Sequence, residues 1–323
     1  MTRHAITGAL LFDGTMAPPR PEHTVVWKKD RITWVGPDSE ARLGEVQAVP
    51  ANGGSLLPGL IDAHVHLCLD ATIAGVDGVA EDTMETVLTR SIDNASRLLA
   101  AGIVAARDQG SRDGIAIRVA EAQRKGQIVA ARITAAGRGI TPTGGHGWMV
   151  GVEADGPEAV RAAVATEVER GAAAIKLFPT GGVLGSGSHG FDVVMTAEEM
   201  AAAAEEAHRL GVLVSAHVHG PEGIGLALDA GIDTIEHATA ITAEQARRAA
   251  ELGVALVPTL AAIDVMADQA HLLPPDLLAR AEEVGAAAAE GIRIAIAEGA
   301  RVLAGTDSGT PFNPPGLLAR EMR

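Results

Sequence analysis

The sequence predicts an α/β chain whose larger part is a (β/α)8 TIM barrel, and three observations carry that expectation. First, from Pro58 onward one pattern recurs: a short run rich in Val, Ile and Ala, a Gly or Asp/Thr punctuation, then an Ala/Glu/Arg helix. Such βα units build parallel sheets, because a parallel connection needs a crossover helix. Second, eight strand candidates fall near residues 60–66, 102–108, 132–138, 173–178, 212–218, 233–237, 254–259 and 301–306, and eight is the number that closes such a barrel. Third, residues with metal-binding chemistry stand near the ends of five of these runs, and a closed barrel brings such ends together at its C-terminal rim. A doubly wound open sheet would instead gather its site at one switch point, and no Gly-rich phosphate loop follows the first run.

Before Pro58, the runs "TVVWKK", "RITWVG" and "SLLP" alternate with turn residues, as small antiparallel strands do. Residues 1–57 are therefore expected to form a partial β-sandwich domain and residues 58–323 the barrel. Within the barrel, Thr196 with Glu199 three residues on makes a capping box for a helix running to Leu210, and Gly211 is placed to end it in a left-handed conformation. The same grammar recurs at Thr242, Gln245 and Gly253.

Composition excludes several function classes. Hydrophobic residues make up 47% and charged residues 21% of 323 residues, an ordinary globular mixture. No apolar run approaches the roughly 18 to 20 residues that span a bilayer, so no membrane partner is expected. The start, "MTRHAITGALLFDG", lacks a cleavage pattern, so no signal peptide is expected and a cytoplasmic setting is the expectation. A formal charge of −15 would repel phosphate backbones, so nucleic acid is not expected as a partner. Cys68 is the one cysteine, which forbids an intrachain disulfide; an inert core thiol is the plain reading of it, a metal ligand the rival.

The chemistry-bearing residues are His64 and His66 in "LLPGLIDAHVHL", Lys176 in "AAAIKLFPTGG", His217 in "LVSAHVHG", His237 in "IDTIEHAT" and Asp307 in "VLAGTDSG". Two imidazoles two residues apart on a strand face the same side and can hold one ion together. Neutral imidazoles with carboxylate oxygens favour a hydrolytic divalent metal over a thiolate-bound one. Lys176 is the most diagnostic of the set. The chain has four lysines against 22 arginines, and this one stands in an apolar strand. A buried, unpaired ammonium is costly or deprotonates; a neutral amine can take up carbon dioxide to become a carbamate that bridges two cations. The plainer reading is a salt bridge to Asp108 or Glu236. For Asp307 the plainer reading is a helix cap. His146 in "TGGHG" and His219 are further candidates, for substrate contact or as solvated loop histidines. Arg107 and Asp108 read equally well as a site pair or an internal salt bridge. His4, His23, His208 and His271 are expected to face solvent.

Together, "PGLIDAHVH", Lys176, His217, His237 and the "GTD" at Asp307 resemble the amidohydrolase superfamily, in particular its binuclear, carboxylated-lysine branch. The segments "LLPGLIDAHVHL", "GGHG", "FPTGGVL", "AHVHG", "TIEHAT" and "LAGTDSGTP" are similar to prolidase-like and imidazolonepropionase-like members that cleave dipeptides and N-acyl amino acids. The resemblance implies two divalent metal ions, zinc first among the choices. His64, His66 and Asp307 would bind the more buried ion and His217 and His237 the more exposed one, with carboxylated Lys176 between them. Two cations about 3.5 to 4 Å apart would lower the pKa of a bridging water, and Asp307 would move its proton to the leaving nitrogen. Relatives with a Tyr at the position of His219 have no counterpart here, since the chain contains no tyrosine.

The resemblance therefore implies an enzyme that hydrolyses the C–N bond of a small-molecule amide. The alternatives are a mononuclear metal-dependent deaminase or cyclic-amide hydrolase on the same fold, and a non-catalytic scaffold. Relatives also continue past the eighth strand, whereas this sequence stops at "GLLAREMR". The C-terminal part of the family fold, including most of the last helix, is thus expected to be missing. A fragment of a longer protein, or a homo-oligomer whose neighbouring subunit covers the exposed surface, is expected in consequence.

Overall fold

The computed structural model describes residues 2–15, 17–183 and 190–323; the "FPTGGVL" segment runs one residue beyond the second of these spans. The chain divides after Gly59 into two compact units.

The first unit is one sheet of five strands, β1 (Arg3–Leu11), β2 (Arg20–Lys28), β3 (Arg31–Pro37), β4 (Val46–Pro50) and β5 (Ser55–Leu56). β1 is central. It pairs antiparallel with β2, which pairs antiparallel with β3. β4 and β5 pair with β1 in parallel, which corrects the purely antiparallel arrangement expected, because the chain crosses β2 and β3 before returning to the far side of β1. Ala5, Ala9, Leu11 and Val26 bury their side chains. His4 and His23 are half-buried rather than solvent-facing, His4 stacking on Trp27 at 5.4 Å.

The second unit alternates strands and helices. Its strands are β6 (Leu60–Val65), β7 (Ile103–Asp108), β8 (Arg132–Ala135), β9 (Gly139–Thr141), β10 (Gly151–Glu153), β11 (Ala174–Leu177), β12 (Leu213–His219), β13 (Thr234–Thr239), β14 (Ala255–Val257) and β15 (Arg301–Val302). Its helices are α1 (Gly75–Gly78), α2 (Met84–Ala100), α3 (Ile115–Arg124), α4 (Pro157–Glu169), α5 (Ala197–Arg209), α6 (Pro221–Asp229), α7 (Ala243–Leu252), α8 (Leu260–Asp268), α9 (Pro275–Ala297) and α10 (Leu318–Glu321). The eight runs singled out in the sequence lie on β6, β7, β8, β11, β12, β13, β14 and β15, and the short β9 and β10 are additions. All pairings are parallel, in the orders β6-β7-β8 and β10-β9-β11-β12-β13-β14-β15.

Local sequence chemistry sets the helix ends. Thr196 and Thr242 cap α5 and α7 through capping boxes with Glu199 and Gln245, each worth about 1 kcal/mol. Gly211 and Gly253 adopt positive φ just beyond those helices, where an L side chain would be strained. The apolar faces of α4 to α7 pack on β11 to β14 through a continuous core containing Ile175, Leu177, Met200, Val214, Ile235 and Leu256. Among the described residues no helix is long and apolar enough to cross a membrane.

Backbone hydrogen bonds also join the two strand groups. The Ala173 N–H donates to the Ala135 carbonyl, and the segment after β15 lies beside β6, with the Ala63 N–H on the Ala304 carbonyl and the Asp307 N–H on the His64 carbonyl. The Asp62 carboxylate reinforces this contact by accepting the Thr306 N–H at 2.9 Å and the Thr306 hydroxyl at 2.7 Å.

α10 ties itself to α8. Arg320 pairs with Asp268, and the Ala261 N–H at the start of α8 donates to Glu321 Oε2 at 2.7 Å. Burial pushes the Glu321 carboxyl up to about 7 despite that bond. The folded state then holds the proton more tightly than the unfolded one, so stability falls as pH rises from about 4.5 to about 7. Glu321→Gln keeps an acceptor without the charge. Its melting temperature is expected to gain on the parent's between pH 4.5 and pH 7, and thermal melts across that window would show no such trend if the carboxyl titrates normally.

Candidate metal centre

β6 carries His64, His66 follows immediately beyond its last residue on the same side, and both are buried. The outer nitrogen of each ring is occupied. His64 Nδ1 meets Glu236 Oε2 at 2.8 Å, and His66 Nδ1 donates to the Gly110 carbonyl at 2.8 Å. That leaves each Nε2 turned to Asp307, at 3.3 Å and 3.4 Å from its Oδ1. Burial opposes charge on Asp307, but the His64 ring beside it, by charge and hydrogen bond, holds its carboxyl well below the usual range, so it is a carboxylate. The "GTD" spelling follows from this docking. A side chain at Gly305 would place its Cβ 2.9 Å from the backbone nitrogen of His64 and 2.4 Å from Val257, so only glycine passes; Thr306 binds Asp62; Asp307 then faces the histidines.

A second group forms where β12 and β13 end. The ligand-capable atoms of His217, His219 and His237 lie within 4.8 Å of one another. Their outer nitrogens are also engaged: His217 Nε2 donates to the Gly181 carbonyl at 2.9 Å, His219 Nδ1 pairs with Thr239 Oγ1 at 2.8 Å, and His237 Nδ1 pairs with Thr259 Oγ1 at 2.6 Å. The groups are neighbours, with the His64 and His237 ring centres 5.3 Å apart. Burial pushes His66 down to about 4 and His219 to about 3, and holds His217 and His237 well below the ordinary histidine value. These rings are neutral and offer lone pairs.

Lys176 on β11 is fully buried, and among the described residues its Nζ has no hydrogen-bond partner. It stands 5.1 Å from the centre of the Phe178 ring. Burial pushes its pKa down to about 8 in spite of the Glu236 and Asp307 carboxylates. The partners anticipated for a structural salt bridge are engaged elsewhere. Glu236 takes Arg107 Nη2 at 2.7 Å and His64, and Asp108 accepts the N–H groups of Leu67 at 2.9 Å and Gly110 at 3.3 Å. Neutral imidazoles, a carboxylate and an orphaned amine within one buried volume fit divalent cations as ligands.

The remaining candidates are placed as follows. The His146 ring lies 4.6 Å from that of His217 and 5.6 Å from Phe178, in the same cavity. Cys68 sits in an apolar core with its thiol pushed up to about 12 by burial, an inert group. Arg107 belongs to the network behind His64, donating also to Thr234 Oγ1 and the Ala63 carbonyl. Glu236 is the residue that sequence reasoning undervalued. Its signal was present, since a charged residue in the apolar run "TIEHAT" raises the same question as Lys176. His237, Thr259 and Asp307 all have left-handed backbones, with φ of 68°, 54° and 57°, strain of a kind that concentrates at functional sites.

Residues 55–323 match the family model described as the Amidohydrolase family. The chain belongs to this family. Ochratoxinase of Aspergillus niger is 29% identical over 347 aligned residues, spanning 97% of this chain and 70% of that protein. An uncharacterized Mycobacterium tuberculosis protein is 32% identical over 281 residues, spanning 84% and 68%. Among solved structures, a Xaa-Pro dipeptidase with bound methionine in its active site superposes with a TM-score of 0.88 at 27% identity, over 99% of this chain and 82% of that one. This amidohydrolase is accordingly an enzyme that acts on amide bonds.

The Glu236 carboxylate at His64 Nδ1 favours a proton on that nitrogen, which leaves Nε2 as the atom that would meet a cation, and such outer partners tune metal affinity by about 10- to 100-fold. Glu236→Gln is therefore expected to weaken uptake of one zinc equivalent by about that factor in a calorimetric titration. Unchanged affinity would reduce the Arg107–Glu236–His64 chain to packing.

Proposed function

We propose that this amidohydrolase is a binuclear, zinc-dependent hydrolase of dipeptides or N-acyl amino acids, and the observation that carries the proposal is the buried amine of Lys176, without a hydrogen-bond partner among the described residues, in the cavity that two groups of metal-capable side chains also line. In this reading the strands of residues 58–323 close into the (β/α)8 barrel, with residues 1–57 as a separate β domain. Carboxylated Lys176 joins His64, His66 and Asp307 to His217 and His237. When bound, the cations would acidify a water and polarise the amide carbonyl.

The chain's own groups do the rest. Asp307, held as a carboxylate, takes the proton of the attacking water and passes it to the leaving nitrogen. Glu236 and the Gly110 and Gly181 carbonyls keep the imidazoles aimed inward. His146 and His219 line the cavity as donors for the substrate carbonyl or carboxylate. The closeness of His219 to His217 and His237 supports a second reading, in which three imidazoles hold a single cation and the enzyme is a mononuclear deaminase or cyclic-amide hydrolase. Metal content separates the two at two equivalents against one.

Lys176→Met fills the same space without the amine. It is expected to lose at least one metal equivalent and most hydrolysis, while the metal-free protein melts no lower than the parent, because a buried unpaired amine has been removed. Full metal content in this variant would end the bridging role. Asp307→Asn keeps a weak ligand but removes the base; turnover should fall by at least about a hundredfold with metal content little changed. Near-parental turnover of N-acyl amino acids by the Asn variant would remove Asp307 from the chemistry.

A further inference from the structure

The candidate ligands line one part of a cavity whose other walls come from several further elements of the second unit. Much of the remaining lining is hydrocarbon. Ile263 and Met266 of α8 and Val284 and Ala288 of α9 form one stretch of wall, with Met149 and Phe178 among its other apolar residues. Among the described lining residues the charged side chains are Lys176 and Asp307, both members of the candidate ligand set.

This wall is built and anchored. Met266 and Val284 belong to one buried cluster that joins α8 to α9, with Ile263 packed against it. Gly285 leaves the room that Ile263 fills, since a Cβ there would come within 2.6 Å of Ile263 Cγ2. The wall is also continuous with the reacting centre, because Thr259, the residue immediately before α8, pairs with His237.

We propose that the cavity selects amides carrying a large apolar substituent, aliphatic or aromatic, and that the α8–α9 wall is the surface that selects them. The proposal rests on the amide-hydrolase reading and narrows it to N-acyl amino acids with long acyl chains or bulky apolar side chains. The reaction is hydrolysis: water oxygen bonds to the carbonyl carbon, the C–N bond breaks, and the leaving nitrogen takes a proton. Burying a methylene favours binding by about fourfold, so selection accumulates quickly along a chain.

The test compares zinc-loaded protein on N-acetyl, N-hexanoyl and N-octanoyl glycine, then on N-acetyl glycine, leucine and phenylalanine. kcat/KM should rise at least about thirtyfold along one series or the other. In Ile263→Asp the ratio of long-chain to short-chain kcat/KM should collapse by at least about tenfold, and that ratio does not depend on how much of the variant folds. Binding of octanoate and acetate, measured by calorimetry, reads the same surface without turnover, and octanoate should bind at least about thirtyfold more tightly. Flat series together with equal binding of the two acids would overturn the proposal, as would a ratio unmoved in Ile263→Asp. Tight octanoate binding with no amide cleaved would uphold the apolar selection while overturning the amide-hydrolase reading beneath it.

Discussion

The Asp62 carboxylate fixes the register between β6 and the segment after β15, and the candidate centre depends on that register. It takes three donors, the N–H groups of His64 and Thr306 and the Thr306 hydroxyl. Burial pushes its pKa up to about 6 all the same, a measure of how dry the contact is. Asp62 precedes His64 by two residues and Thr306 immediately precedes Asp307, so one carboxylate sets the separation of the two. A slip of one residue between neighbouring strands would turn every side chain of one of them to the opposite face. The approach of Asp307 to His64 and His66 would then be lost, and with it any shared cation.

The surroundings of the centre are costly for a fold to hold. Lys176, Glu236 and four imidazoles are withdrawn from water, and Glu236 is paired with the Arg107 guanidinium. Burial and mutual repulsion keep most of the imidazoles neutral. A hydrophobic replacement would stabilise such a region more simply. What the arrangement provides is a set of lone pairs with their directions fixed from behind by backbone carbonyls, threonine hydroxyls and one carboxylate. Departures from simple core packing of this kind are expected where function is located.

Much of this was legible in the sequence, for identifiable reasons. The eight strands of the larger unit announced themselves because each βα unit repeats the same local grammar, and the capping boxes at Thr196 and Thr242 are purely local signals. The six principal site residues stood out because polar groups interrupt apolar runs. β9 and β10 did not, being three residues each. The parallel pairing of β4 and β5 on β1 was hidden because strand partners are chosen by contacts distant along the chain. The roles of Thr239, Thr259 and Glu236 behind the histidines were hidden for the same reason. Ile263, Met266 and Val284 read as ordinary helix core, since the pattern that buries a residue against a neighbouring helix also serves a residue facing a cavity.

The left-handed backbone at His237, Thr259 and Asp307 has a consequence for evolution in the laboratory. Glycine or asparagine would relax that conformation at each position, so a screen for heat resistance alone rewards replacements there. Lineages selected in that way would drift toward a sturdier scaffold without its candidate ligands. Activity has to be scored alongside survival if the centre is to persist.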